Sequence, residues 1–264
     1  MREFEHQWGL ITGGSAGIGA AYAAGFAERG MNLILVARRQ ERLEELAGRL
    51  CADHGIDIVP LALDLLNPTG FQQLVEFLEQ REQPLDLLIN NAGLGHFSTC
   101  DQTDIARVEQ VVQLNVAVLT RLTYQVLPGM LARRSGTIIN LASRASFQPV
   151  AYMSVYAASK AYVLSFTEGL GIEVRKHGVQ LLAVCPPLVK TEFLSVANMP
   201  SLAERLAMSP EKVVVGTLRA LRRRKLSVTI GFVPKLLTLL PRFLPRYLMA
   251  AISLGYLRPE HQAE

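Results

Sequence analysis

Cysteine is scarce in this chain: three residues, at 51, 100 and 185, with neither paired spacing nor a metal-ligand pattern. That excludes a disulfide framework and a metal centre built on cysteine, and leaves reduced thiols in a cytoplasmic setting as the expectation. Low-complexity segments, repeats and linkers are also missing. The start, Met-Arg-Glu-Phe-Glu-His, carries acidic residues and runs within a few positions into a strand, unlike a secretory or transit peptide, so export is not expected. The most apolar stretch, residues 231–257, is interrupted by three prolines and by Lys235, Arg242 and Arg246. It falls short of the roughly eighteen uninterrupted apolar residues of a membrane-crossing helix. The formal charge of +4 is modest, and much of the excess sits at Arg38-Arg39 and at Arg222-Arg223-Arg224-Lys225. Neither cluster is interleaved with aromatic residues, which argues against nucleic acid and for an anionic small ligand at the first.

Half of the 264 residues are hydrophobic, enough for one large core. Seven short apolar runs, at 9–11, 32–36, 56–61, 85–89, 136–140, 179–184 and 226–230, alternate with longer amphipathic segments. Strands separated by helices make a single parallel sheet, because each right-handed crossover places its helix on a face of the sheet. Ligands in such a fold bind at the carboxyl ends of the strands.

Two motifs carry chemistry. The first strand ends in Thr12-Gly-Gly-Ser-Ala-Gly-Ile-Gly19 and opens an alanine-rich helix. Glycines there let the backbone approach a pyrophosphate at a positive helix end. Far downstream, Tyr156 and Lys160 stand four residues apart in Ser154-Val-Tyr-Ala-Ala-Ser-Lys160. A helix puts both on one face, so the lysine cation is expected to favour the ionised phenol and make it a usable acid or base toward a carbonyl or alcohol.

These motifs, with Asn90-Asn-Ala-Gly93, Asn115 and Ser143 in order and at matching spacing, resemble the short-chain dehydrogenase/reductase family over residues 8 to about 230. The resemblance implies a doubly wound Rossmann fold, an NADP(H)- or NAD-dependent oxidoreductase, and a proton relay. In that relay Tyr156 supplies the proton, Lys160 lowers its pKa and holds the nicotinamide ribose, Ser143 polarises the carbonyl oxygen, and Asn115 holds a water linking Lys160 to solvent. It further implies cofactor contacts from Gly13, Ser15, Gly17, Ile18 and Gly19, from Asp64, from Asn91, Ala92 and Gly93, and from Pro186, Val189 and Thr191. An NAD enzyme of this family needs a carboxylate after the second strand, where this chain has Arg38 and Arg39. A guanidinium pairs with a 2′-phosphate and a carboxylate repels it, so NADP(H) is expected, with Arg38 the first contact and Arg39 its support.

Plainer readings compete at several positions. Ser146 and Ser154 are alternatives to Ser143, Asn115 could cap or kink its helix, and Arg38 and Arg39 could simply open the next charged helix. Tyr152 has no lysine four residues on and reads as a pocket or packing residue. His96 points at substrate or at solvent and is not counted as catalytic. Cys185, with no base near it in sequence, reads as a small apolar strand residue. Pro187 stands where the family has glycine beside the nicotinamide.

The substrate wall is expected from Phe97, Phe147, Val150, Met153, Phe193, Leu194 and Met199, an apolar lining that fits a lipophilic ketone, aldehyde or 3-oxoacyl-like compound without naming one. Residues 1–230 form the cofactor-binding and catalytic domain. Residues 231–264 form an extension with three open roles: packing on a sister subunit, closing over substrate, or lying on an anionic membrane surface. Family precedent favours a homodimer or homotetramer through helices near 103–131 and 152–176. The competing class of function is a non-catalytic NADP-binding scaffold that has kept the fold.

Overall fold

A computed structural model describes residues 3–197 and 207–256. Met199 of the expected substrate wall, and the end of the extension beyond residue 256, lie outside them.

All seven strands form, as β1 (Trp8–Thr12), β2 (Asn32–Ala37), β3 (Ile58–Ala62), β4 (Leu87–Asn90), β5 (Gly136–Leu141), β6 (Val179–Cys185) and β7 (Ser227–Thr229). They make one parallel sheet in the order β3-β2-β1-β4-β5-β6-β7. Alternation along the strands divides the core in two. Ile11, Leu33 and Leu35 face α1 (Gly17–Ala27), α2 (Gln40–His54) and α8 (Pro210–Arg222). Leu10, Ile34 and Val36 face α3 (Pro68–Glu79), α4 (Ile105–Val112), α5 (Leu119–Arg133) and α6 (Ser154–Arg175). Strands buried on both faces read as continuous apolar runs, which is why they were visible in the sequence. The chain order reverses between β1 and β4, and that switch point opens the crevice where this architecture binds ligands.

Between α4 and α5 the helix widens to a π turn over Gln113–Val118, a rare geometry that gathers at functional sites. Beyond α6 come α7 (Phe193–Val196), α8, and two helices of the extension, α9 (Phe232–Leu237) and α10 (Arg246–Tyr256).

Beneath the crevice a polar chain crosses the buried sheet. Asn90 Nδ2 donates to Thr123 Oγ1 at 3.1 Å and to Asn140 Oδ1 at 2.9 Å, and Asn140 Nδ2 donates to Thr167 Oγ1 at 2.9 Å. Every member is buried, so water cannot replace a bond that is removed. The chain pins β4 to β5 and both to α5 and α6, the elements that carry the site. Asn140→Ala should therefore lower stability by about 2–3 kcal/mol, for the two buried hydrogen bonds lost, Asn90 keeping Thr123 and Thr167 keeping the Val163 carbonyl. A shift in the urea midpoint equivalent to less than about 0.5 kcal/mol would show that the chain contributes little.

Candidate active site

The turn after β1 owes its shape to bonds from β4. Thr12 Oγ1 accepts the backbone N–H groups of Asn91 and Ala92, each at 3.0 Å. Asn91 Nδ2 in turn donates to the carbonyls of Thr12 at 2.9 Å and Gly13 at 3.1 Å. Gly17 has φ +56, the left-handed region that glycine occupies without strain, and a Cβ there would press on the Thr191 methyl. Gly19 is buried behind the turn, where a Cβ would run into the Gly13 carbonyl; it shapes the turn without lining the cavity. Helix α1 begins with no side-chain cap and no acidic residue in its first turn, so its free N–H groups and dipole suit an anion.

The turn lies at one end of a cavity of about 880 Å³. Gly13, Ser15, Gly17 and Ile18 line it there, followed by Arg38, Arg39 and Asp64, then by Asn91, Ala92 and Gly93. Pro186, Val189 and Thr191 also line it, Thr191 against Gly17. The loop containing Pro187 is held by its neighbours: Pro186 O accepts the Arg144 N–H at 2.9 Å, and Leu188 and Lys190 pair with Met208. The N–H that proline lacks is not needed for that anchorage.

Arg39 is already engaged. Its guanidinium donates to Glu192 Oε2 at 2.7 Å and reaches Ser15 Oγ at 3.4 Å, while Arg42 pairs with the other Glu192 oxygen. These two cations, Arg42 foremost, hold the Glu192 carboxyl below the usual carboxylate range. The arginines after β2 thus open α2 and also face the cleft.

Ser143, Tyr156 and Lys160 meet on the cavity wall. Ser143 follows β5 with extended backbone, and its Oγ accepts the Ala145 N–H at 3.1 Å while Ser146 Oγ accepts the Ser143 N–H at 3.2 Å. Ser143 is thereby the N-cap of the short turn Arg144–Phe147, with Ser146 completing a capping box, and Ser143 also hydrogen-bonds the Tyr156 phenol. Lys160 is buried, its Nζ donating to Leu141 O at 2.7 Å and lying 5.9 Å from the Tyr156 ring centre.

One expectation is overturned. Lys160 was to lower the Tyr156 pKa, yet the phenol stands above its ordinary value because burial outweighs the Ser143 bond. Burial also brings Lys160 down to about 8, since an ammonium without water is disfavoured. An amine so close to neutrality makes a weak cation for its neighbour. Four-residue spacing brings the two side chains together without showing how dry their surroundings are.

Asn115 sits in the π turn and does not line the cavity. Its Oδ1 accepts the Leu94 N–H at 2.9 Å, and its Nδ2 donates to Leu94 O at 2.9 Å and Ser159 Oγ at 3.0 Å. It fastens the loop after β4 to α6. A Cβ on Gly93 would lie 3.3 Å from both Asn115 Oδ1 and Lys160 Nζ, so these two atoms border the same small space.

Known proteins share this arrangement at three levels: a family pattern, named relatives and solved structures. A family model described as short chain dehydrogenase matches residues 7–200. The chain belongs to that family. Among named relatives, the very-long-chain 3-oxoacyl-CoA reductase of Anas platyrhynchos is 30% identical over 216 residues, 80% of this chain and 68% of that one. A short-chain dehydrogenase from Sphingobium yanoikuyae, solved in complex with NADPH, superposes with a TM-score of 0.82 at 32% identity over 98% of each chain. The bulky-bulky ketone specific alcohol dehydrogenase of Comamonas testosteroni gives 0.77 at 28%, over 98% of this chain and 97% of that one.

Within this dehydrogenase the far end of the cavity departs from the wall read in the sequence. Val150, Met153, Phe193 and Leu194 line it, but Phe97 and Phe147 do not. Phe97 packs on Tyr152, ring centres 5.6 Å apart, which keeps Tyr152 a packing residue. Phe193 covers Tyr156 at 5.5 Å. His96 is half-buried off the cavity, with Nε2 enclosed and unpartnered among the described residues. Cys185 is buried with its thiol pushed up to about 12, which suits an inert strand residue. Sequence reasoning did not single out Glu192, nor the wall supplied by Leu237, Leu240, Leu244, Met249 and Ile252 of the extension. For the extension, closing over substrate was one of three roles left open by its apolar composition, without naming the residues; nothing near Glu192 in sequence pointed to it.

The lysine gives a direct stability test. Its folded pKa, about 8, lies below the unfolded value of 10.5, so the native state sheds its proton first as pH rises. Below about pH 8 both states are protonated; between there and 10.5 the unfolded state holds more protons, and this group's contribution increases with pH. Cofactor-free wild type should gain on the order of 2–3 kcal/mol relative to Lys160→Met across that window, read by urea unfolding. Stability curves that stay parallel would mean that Lys160 titrates as an exposed lysine.

Proposed function

We propose that this chain is an NADPH-dependent carbonyl reductase, or the same enzyme run as an alcohol dehydrogenase, acting on a lipophilic ketone, aldehyde or 3-oxoacyl-like compound. One observation carries it: Ser143, Tyr156 and Lys160 share a single cavity with the glycine turn and the arginines after β2. Arg38, free of a carboxylate rival at the end of β2, fits a 2′-phosphate, and the NADPH held by the Sphingobium relative supports the choice. The turn and the uncapped α1 fit a pyrophosphate, Asp64 fits the adenine side, and Asn91, Ala92, Gly93, Pro186, Val189 and Thr191 fit the path inward.

Bound NADPH supplies the hydride. Ser143 donates to the substrate oxygen and polarises the carbonyl, and Tyr156 delivers its proton to that oxygen as negative charge develops. A phenol above its usual pKa remains protonated at neutral pH, the form a donor needs. Lys160, tied to Leu141 O, replaces that proton through the space it borders with Asn115 Oδ1, where one solvent molecule would complete the relay. Phe193, Met153 and the leucines of the extension exclude water and favour an apolar substrate, in keeping with the substrates named for the duck and Comamonas relatives.

The reading extends to a cytoplasmic homo-oligomer, with residues 1–230 as the catalytic unit and the extension as a peripheral lipid contact. Exposed apolar side chains on α4, α5 and α6, among them Ile105, Val112, Tyr124 and Ile172, suit a subunit interface that light scattering would register as a multiple of 29.0 kDa.

The decisive assay follows NADPH oxidation across ketones, aldehydes and 3-oxoacyl thioesters. Turnover should fall about 10²-fold or more in Tyr156→Phe, with NADPH affinity within about threefold of wild type and NADH bound at least about tenfold more weakly. Undiminished turnover would reassign the proton donor, and equal affinity for NADH would reject the role of Arg38. No turnover with any carbonyl, beside tight NADPH binding, would favour a non-catalytic scaffold.

A further inference from the structure

The extension after Gly231 has two apolar faces. Its inner face closes the cavity: Met249 and Ser253, one helical turn apart on α10, are buried, and Ser253 Oγ accepts the Ala151 N–H at 2.8 Å. Its outer face offers Phe232 at 83% exposure, Phe243 at 81% and Tyr247 at 76%, beside Val233 and Leu236. Between the faces, Leu237, Leu240 and Ile252 line the cavity while remaining 39%, 43% and 51% exposed. They form a greasy passage from the outer surface to the substrate end.

Large aromatic side chains left this open in one segment mark a contact surface. Charge selects the occupant. Residues 231–256 contain Lys235, Arg242 and Arg246 and no Asp or Glu, so the segment complements an anionic surface. A symmetric pairing of this face with the same face of a second copy would bring like charges together with no acid between them. No helix among the described residues is long and apolar enough to cross a membrane, which leaves a segment lying in the interface plane, with aromatic rings at headgroup depth and cations toward the lipid phosphates.

We infer that the extension is a lipid-facing lid: its outer face seats on an anionic membrane surface, and a substrate dissolved in that membrane enters the cavity past Leu237, Leu240 and Ile252. This deepens the proposed reductase and rests on it for the chemistry, although docking itself does not. The lid's connection to the body suits such a role, since among the described residues the Ala151–Ser253 bond is the side-chain hydrogen bond that ties it to the rest of the protein.

The test uses the full chain and the variant Phe232→Ser/Phe243→Ser/Tyr247→Ser, whose exposed positions leave the core intact. Wild type should sediment with phosphatidylglycerol vesicles and remain in solution with phosphatidylcholine vesicles, and the variant should bind the anionic vesicles about tenfold less. With NADPH, the variant should match wild type on a short water-soluble ketone yet lose about tenfold on a long-chain ketone carried in anionic vesicles. Wild type that ignores anionic vesicles, or a variant that still sediments, overturns the docking. So does a change of oligomeric mass in the variant without any effect of lipid, which would give the face to a second copy. Equal losses on both ketones overturn the passage. Absent turnover on both by wild type sinks the reductase instead, and sedimentation still decides the docking.

Discussion

The hydrogen bond from the Lys160 ammonium to the Leu141 carbonyl, 2.7 Å long and buried, fixes where α6 lies against the end of β5. Everything reactive is placed relative to it. One turn back along α6 stands Tyr156; Ser143 follows Leu141 by two residues; and Gly93, at the end of β4, comes close to the same amine. The cost is the desolvation that brings the lysine down to about 8 and raises the phenol. The ammonium is thereby the stronger acid of the two, so a proton passing from Lys160 to an ionised Tyr156 runs downhill.

Around that contact the fold supplies rigidity from below and apolar cover from above. The chain Thr123–Asn90–Asn140–Thr167 ties β4 and β5 to the helices on which the site depends, and Asn115 fastens the loop after β4 to α6. Cover comes from Phe193 and from the extension. Glu192, next to Phe193, joins that cover to the rim formed by Arg39 and Arg42, so the arginines after β2 and the apolar wall share one loop.

Much of this was legible in the residues. The seven strands lie within two positions of the apolar runs that announced them, because a sheet buried on both faces requires such runs. The glycine turn, the arginines after β2 and the Tyr156–Lys160 spacing were legible because each obeys a local steric or chemical demand. What escaped depends on contacts far apart in the chain. Glu192 reaches Arg39 across 153 residues, and Leu94 meets Asn115 through bonds that no spacing rule reveals. The direction of the Tyr156 shift was misread because helical spacing measures proximity and carries no record of burial. In the same way the extension could be recognised as apolar while its inner and outer faces stayed indistinguishable.

A crystal structure of the chain with NADPH and a substrate-like ketone tests the central claim most directly. The account predicts the ketone oxygen within about 3–3.5 Å of the Tyr156 hydroxyl, its carbon facing the nicotinamide at a similar distance, and Lys160 still enclosed beside Leu141. A nicotinamide walled off from the phenol, or a Lys160 side chain swung out to solvent, would contradict it.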